Sequence, residues 1–154
     1  MEFATNAPKS LYASVLSNPL YPCSSLEAKY KESCARNQPQ VMQKYLGMSL
    51  DAIANVCLSS SDTVIRYHCI DALGLKVGQE SYGDANFIVN QCSQIPNQEA
   101  IAQCASAAAG ELVFQNYKGW QDATKKVCGK LTNVLKKSCD ERVNQTISTF
   151  YSTP

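Results

Sequence analysis

Apolar residues recur at helical spacing in four long stretches. The clearest is the last. Leu131, Leu135, Cys139, Val143, Ile147 and Phe150 are separated by steps of four and finally three, which sets them on one face of an α-helix. Ile65, Cys69, Leu73 and Val77 repeat the pattern at intervals of four, and Leu26, Tyr30 and Cys34 begin another stripe. Ile101, Cys104, Ala105, Ala108 and Leu112 mark a fourth helix, rich in alanine. Shorter segments between them predict short helices. One runs through Ala52, Ile53, Val56 and Cys57, one from Ala85 to Gln91 or Cys92, and one from Asp122 to about Cys128-Gly129.

Polar residues at the edges of these stripes place the helix ends. Ser24 followed by Glu27 has the spacing of a capping box at the start of the first long helix. Asp51, Asp62, Asp84 and Asn97 stand where an N-cap side chain is needed. Pro39 predicts a break near Gln38, with a second piece from Pro39 to Leu46. Leu58 to Ser61 reads as a turn, while Gly83 and Gly119 close units. Residues 1–22 carry Pro8, Pro19 and Pro22 and read as an extended lead-in, with at most a helical turn around Leu11 to Leu16. The first three residues look like a tag remnant, and the lead-in can follow a removed membrane anchor or linker.

The cysteines keep a beat. Cys23, Cys57, Cys92 and Cys128 advance by 34, 35 and 36 residues, while Cys34, Cys69, Cys104 and Cys139 advance by 35 each time. A tyrosine–glycine motif followed by Asp-Ala holds the same phase: Tyr45 and Gly47 with Asp51-Ala52, Tyr82-Gly83 with Asp84-Ala85, Tyr117 and Gly119 with Asp122-Ala123. Two motifs in phase imply a repeat of about 35 residues. Each unit is then a short helix, a tight turn and a longer helix. The first cysteine lies at the end of the short helix and the second about two turns into the long one. Antiparallel packing sets them opposite each other, so the expected bonds are Cys23–Cys34, Cys57–Cys69, Cys92–Cys104 and Cys128–Cys139.

The expected fold is all-α, a right-handed α-solenoid of about four disulfide-clasped αα-hairpin repeats. After the lead-in, residues 23–154 form a single repeat domain with units at 23–50, 51–83, 84–121 and 122–154. The recurring tyrosines fit packing between repeats. The small residues from Ala105 to Gly110 allow helices to approach closely.

Composition narrows the function. The chain has 154 residues, 45% hydrophobic, and a net charge of +1 from 14 basic and 13 acidic residues. That is enough for a core and carries no basic stripe for nucleic acid. Lys125, Lys126, Lys130, Lys136 and Lys137 are interleaved with Asp122, Asp140 and Glu141 and read as a solvated face. Eight evenly spaced cysteines imply disulfides and an oxidising compartment, hence a secreted, periplasmic or cell-surface chain. No pair is closer than ten intervening residues, unlike zinc knuckles, and no apolar run is long enough to span a bilayer. His68 is the only histidine and sits beside Cys69. With every cysteine paired there is no thiolate, and neither a redox C-x-x-C nor a phosphate-binding glycine loop is present. The chain therefore reads as non-enzymatic, without metal or cofactor.

In architecture, residues 23 to about 150 resemble the tetratricopeptide-like class, and in particular the cysteine-rich Sel-type repeats. Ala72-Leu73-Gly74, Gly78 and Asp84-Ala85 carry the likeness, echoed by Ala109-Gly110, Gly119 and Asp122-Ala123. The cysteine spacing is longer here, and the family's Gly-x-Gly-Val turn is absent. The resemblance implies a protein or peptide partner and carries over no functional residue. Trp120, the single tryptophan, is the candidate partner contact, or else folds back over a helix end. The alternative function is a small carrier enclosing a lipid or other apolar ligand in the alanine-rich region. A twin-cysteine hairpin protein of the mitochondrial intermembrane space is a weaker third, because its C-x9-C spacing is not met.

Overall fold

The structure is a computed structural model and describes residues 9–151; the expectation of an extended start at residues 1–8 lies outside them. The described residues form eight α-helices and one 3-10 turn, with no strand among them. The helices are α1 (Lys9–Ser17), α2 (Ala28–Leu46), α3 (Leu50–Ser59), α4 (Thr63–Glu80), α5 (Ala85–Cys92), α6 (Gln98–Phe114), α7 (Trp120–Cys128) and α8 (Asn133–Tyr151). They group into two compact units divided between Cys69 and Ile70, a division that falls inside α4. Four disulfides join Cys23 to Cys34, Cys57 to Cys69, Cys92 to Cys104 and Cys128 to Cys139, with Cα atoms 5.4 to 5.7 Å apart. These are the pairings that the repeat predicts, and the Cα separations are ordinary for disulfides.

The first unit departs from expectation in five places. The lead-in is not wholly extended, because Lys9–Ser17 is a helix. The Ser24–Glu27 capping box does not form: Cys23–Ser25 is a 3-10 turn, and α2 begins at Ala28 with no side-chain cap from Glu27. The disulfide holds a fully buried Cys23 against the second turn of α2, so the chain must turn before the helix starts. Tyr30 is exposed, its ring beneath Lys29 Nζ, and the buried face of α2 is instead Ala35, Gln38, Pro39 and Met42.

That same face explains why Pro39 does not break α2. The proline forfeits one backbone hydrogen bond, yet its ring is packed in the core between Ala35 and Met42. Gln38 beside it donates through Nε2 to the carbonyls of Pro19 and Tyr21 and so fastens the lead-in to the helix. Gly47 closes α2 at φ 63°, where its N–H and that of Met48 recapture the Gln43 and Met42 carbonyls. Asp51 is not the cap of α3. Ser49 holds the N-cap position, and Asp51 lies in the first turn with its carboxyl lowered, chiefly by the Ser49 side chain.

Asp62 does cap α4, as its position predicts. Its Oδ1 accepts from the Val64 and Ile65 amides, and its Oδ2 takes Lys31 Nζ from α2 at 2.6 Å. Lys31 first, and these amides after it, hold the Asp62 carboxyl below its ordinary value of 3.8. A folded value below the unfolded one means that the bridge stabilises fully above about pH 4 and is lost as the pH falls through the folded value. The urea midpoint of the wild type should therefore fall faster than that of Asp62→Asn on acidification below pH 4. Parallel curves would show that the bridge contributes nothing.

In the second unit α6 is the centre. Twelve of its residues are buried, from Ala100 to Val113, whereas α8, with the clearer stripe, buries only Cys139 and Val143. Asp84 and Asn97 cap α5 and α6 through two amide bonds each. Asp122 does not cap α7. The helix starts at Trp120 with Gly119 at the N-cap, and Asp122 is a fully solvated first-turn residue. The phased glycines Gly47, Gly83 and Gly119 share one property, a positive φ, which explains their recurrence at the turns.

Small residues bring α4 onto α6. A Cβ on Gly74 would overlap the Cys104 carbonyl oxygen and stand 2.7 Å from the Ala107 Cβ; one on Gly78 would stand 2.8 Å from the Ala108 carbonyl oxygen. The alanines of this region thus serve close helix approach. Gly74→Ala should destabilise the fold by about 1–3 kcal/mol through overpacking, although alanine is the better helix former by about 1 kcal/mol. A urea midpoint that rises in this variant would refute the close contact.

Candidate interaction surface

Within the second unit, the C-terminal ends of α4, α6 and α8 lie together with the start of α7. Gln79 Nε2 donates to Glu111 Oε1 at 3.0 Å, and the Tyr151 hydroxyl donates to the Val113 carbonyl at 2.9 Å. The Tyr117 hydroxyl donates to the Gln79 carbonyl at 3.2 Å. The two disulfides wholly inside this unit lie at the opposite ends of the same helices, where α5 and α7 finish.

This end is lined with aromatic rings. Phe114 and Phe150 meet edge to face with centroids 4.9 Å apart, Trp120 stacks on Tyr151 at 6.2 Å, and Tyr82 meets Tyr117 at 6.5 Å. Much of that apolar area faces water: Tyr82 is 83% exposed, Phe150 56%, Phe114 52% and Tyr151 42%. Among the described residues, nine large hydrophobic side chains are exposed, and these four belong to this one end. Clustering of that kind marks interaction sites, whereas single exposed apolar residues are ordinary.

Of its two anticipated positions Trp120 takes the one folded back over a helix end. It is half-buried and folds onto Tyr151 at the end of α8, yet it borders the exposed rings. The recurring tyrosines divide: Tyr82 and Tyr117 pack against each other in the second unit, and Tyr45 is half-buried in the first beneath Lys44. Phe150, assigned by its spacing to the apolar face of α8, is more than half exposed. Phe114, Tyr151 and Glu111 carry no periodic signal. A glutamate inside the run from Ala107 to Val113 was the available clue, since a lone carboxylate in such a run needs an explanation.

Glu111 is 5% exposed and sits in the last turn of α6. Its Oε1 accepts from two neutral amides, Gln79 Nε2 and Gln115 Nε2, the latter at 2.7 Å. Among the described residues no lysine, arginine or histidine pairs with it.

The other candidate groups are scattered. His68, in the first unit, points Nε2 at Glu32 from 3.7 Å and meets Tyr67 edge to face, with Nδ1 buried and unbonded. No cluster of three or more potential metal ligands occurs among the described residues. No described helix is long and apolar enough to cross a membrane. The lysines of α7 and α8 are solvated and partly paired, Lys125 with Asp122, Lys136 with Asp140 and Lys137 with Glu141. Pairs of this exposed kind contribute little. No protein family, characterised protein or solved structure matches the chain.

Proposed function

We propose that the chain is a non-catalytic protein-interaction scaffold of an oxidising, extracytoplasmic compartment, and that it binds a protein or peptide partner through the aromatic end of its second unit. The observation that carries this reading is the gathering of Tyr82, Phe114, Phe150 and Tyr151, all exposed, around the half-buried Trp120. Aromatic anchors on a rigid base are the usual energetic centre of an interface. Four disulfides fit a secreted, periplasmic or surface location.

The reading includes the solenoid of four clasped hairpins over residues 23–154 and its likeness to Sel-type repeats. Contacts between successive long helices support it. Gln79 meets Glu111, Gly110 lies against Arg142 and Thr146, and Phe114 meets Phe150, each close to one repeat apart in sequence.

The test is affinity capture from the extracytoplasmic fraction of the source cells. The wild type is compared with Phe114→Ala/Phe150→Ala, two exposed changes that leave the disulfides in place. The wild type should retain a defined partner that the double variant loses. Retention by both, or by neither, overturns the proposal.

A further inference from the structure

Glu111 stands where a carboxylate is least welcome. The C-terminal end of a helix carries partial negative charge and favours cations. A second helix, α4, ends beside it, as the Gln79–Glu111 bond records, and α8 ends there too, as the Tyr151–Val113 bond records. A nearly buried anion in that position is stabilised here only by two uncharged amides. The neighbouring cations do not neutralise it: Lys76 pairs with Glu80 on α4, Arg142, which lies against Gly110, pairs with Asp71, and Lys118 is exposed after Tyr117.

Two features beside Glu111 suit a guanidinium. Gln79 and Gln115 are both exposed, so the two amides that hold Glu111 reach it from the solvent side, and an incoming group that offers the same N–H bonds with a positive charge can replace one of them. The Tyr117 hydroxyl is tied to the same Gln79 that binds Glu111, and Tyr82 meets that ring edge to face. Planar guanidinium groups stack on aromatic faces and fork onto carboxylates, which a compact ammonium does less well.

We propose that the aromatic end of the second unit receives an arginine side chain of the partner, with Glu111 as its counter-charge and Tyr117 as its stacking surface. This rests on the reading of that end as the partner-binding surface and specifies what the partner must present.

Trp120 is the only tryptophan, its backbone amide donates to the Tyr117 carbonyl at 3.0 Å and its ring stacks on Tyr151, so its emission reports on this site. The probe is the peptide acetyl-Ala-Arg-Ala-amide, titrated into the intact, oxidised protein. Its control is the same peptide with citrulline, which keeps the shape and loses the charge. The arginine peptide should produce a saturating change in Trp120 emission. The citrulline peptide, and the arginine peptide with Glu111→Gln, should each bind at least about tenfold more weakly. The citrulline control leaves the protein untouched, so it decides the matter even if Glu111→Gln disturbs the fold. Equal binding of the two peptides, equal binding to Glu111→Gln, or no binding to the wild type overturns the inference. Capture of the natural partner that is lost in Phe114→Ala/Phe150→Ala but unchanged in Glu111→Gln would leave the scaffold reading standing while removing this one.

Discussion

Full reduction of the four disulfides is expected to unfold the chain at room temperature. Each bond closes an interval of 11 or 12 residues, and the chain-entropy account gives about 3 kcal/mol for a loop of that length. The intervals do not overlap, so their contributions are close to additive and total about 11 kcal/mol. That equals the whole stability of an ordinary domain, about 5–15 kcal/mol. The core cannot make up such a loss, because its central helix α6 is built largely of alanine, whose burial removes little apolar area from water. Circular dichroism at 222 nm, recorded with and without excess reductant, should show loss of the helical signal and of cooperative melting. Removal of one clasp, as in Cys92→Ala/Cys104→Ala, should lower the unfolding free energy by about 3 kcal/mol. A reduced chain that keeps a cooperative transition would mean that packing alone suffices.

The second large effect is expected at Asp71. Its side chain is almost wholly buried in α4, and Arg142 of α8 binds both carboxylate oxygens, with Nη2 3.2 Å from Oδ2. The guanidinium passes Gly110 of α6 on its way to α4, and a Cβ there would make an ordinary contact with Arg142 Nε at 3.5 Å. Asp71→Ala leaves a partly buried cation without its partner, which costs about 3 kcal/mol, the lower end of the range for such pairs because Arg142 retains some contact with water. Replacing both members with apolar residues, as in Asp71→Leu/Arg142→Met, should recover most of that loss. Urea unfolding of the two variants makes the comparison. A single variant that loses under about 1 kcal/mol would place this pair with ordinary surface bridges.

The features that could be read from sequence were local ones. Asp62, Asp84 and Asn97 announce their helices because an N-cap depends only on the next three residues. The disulfide partners follow from a beat of 35 residues that survives in the cysteines. On α2 the buried face holds Ala35, Gln38, Pro39 and Met42 but not Tyr30, whose ring lies beneath a lysine in solvent, and Pro39 leaves the helix unbroken because it is buried in the core. The clearest stripe does not mark the most buried helix. A strong stripe marks a helix that is covered on one side, and α8 has α6 and α7 as its neighbours, whereas a helix buried all round has no stripe to read. The aromatic end was least legible, since it joins side chains from residues 82, 114 to 120, and 150 to 151, which only tertiary packing brings together.

The spacing of the clasps also sets how the chain yields to a pulling force. From the second cysteine of one clasp to the first of the next are 23 or 24 residues, free of cross-links. Stretched, each such segment can pay out about 80 Å, while each clasped interval withholds about 40 Å of contour. Held at Cys23 and Cys139, the chain would lengthen in three nearly equal steps and then stop well short of full extension. A tether made this way lengthens by fixed amounts and keeps a folded-back hairpin at every clasp.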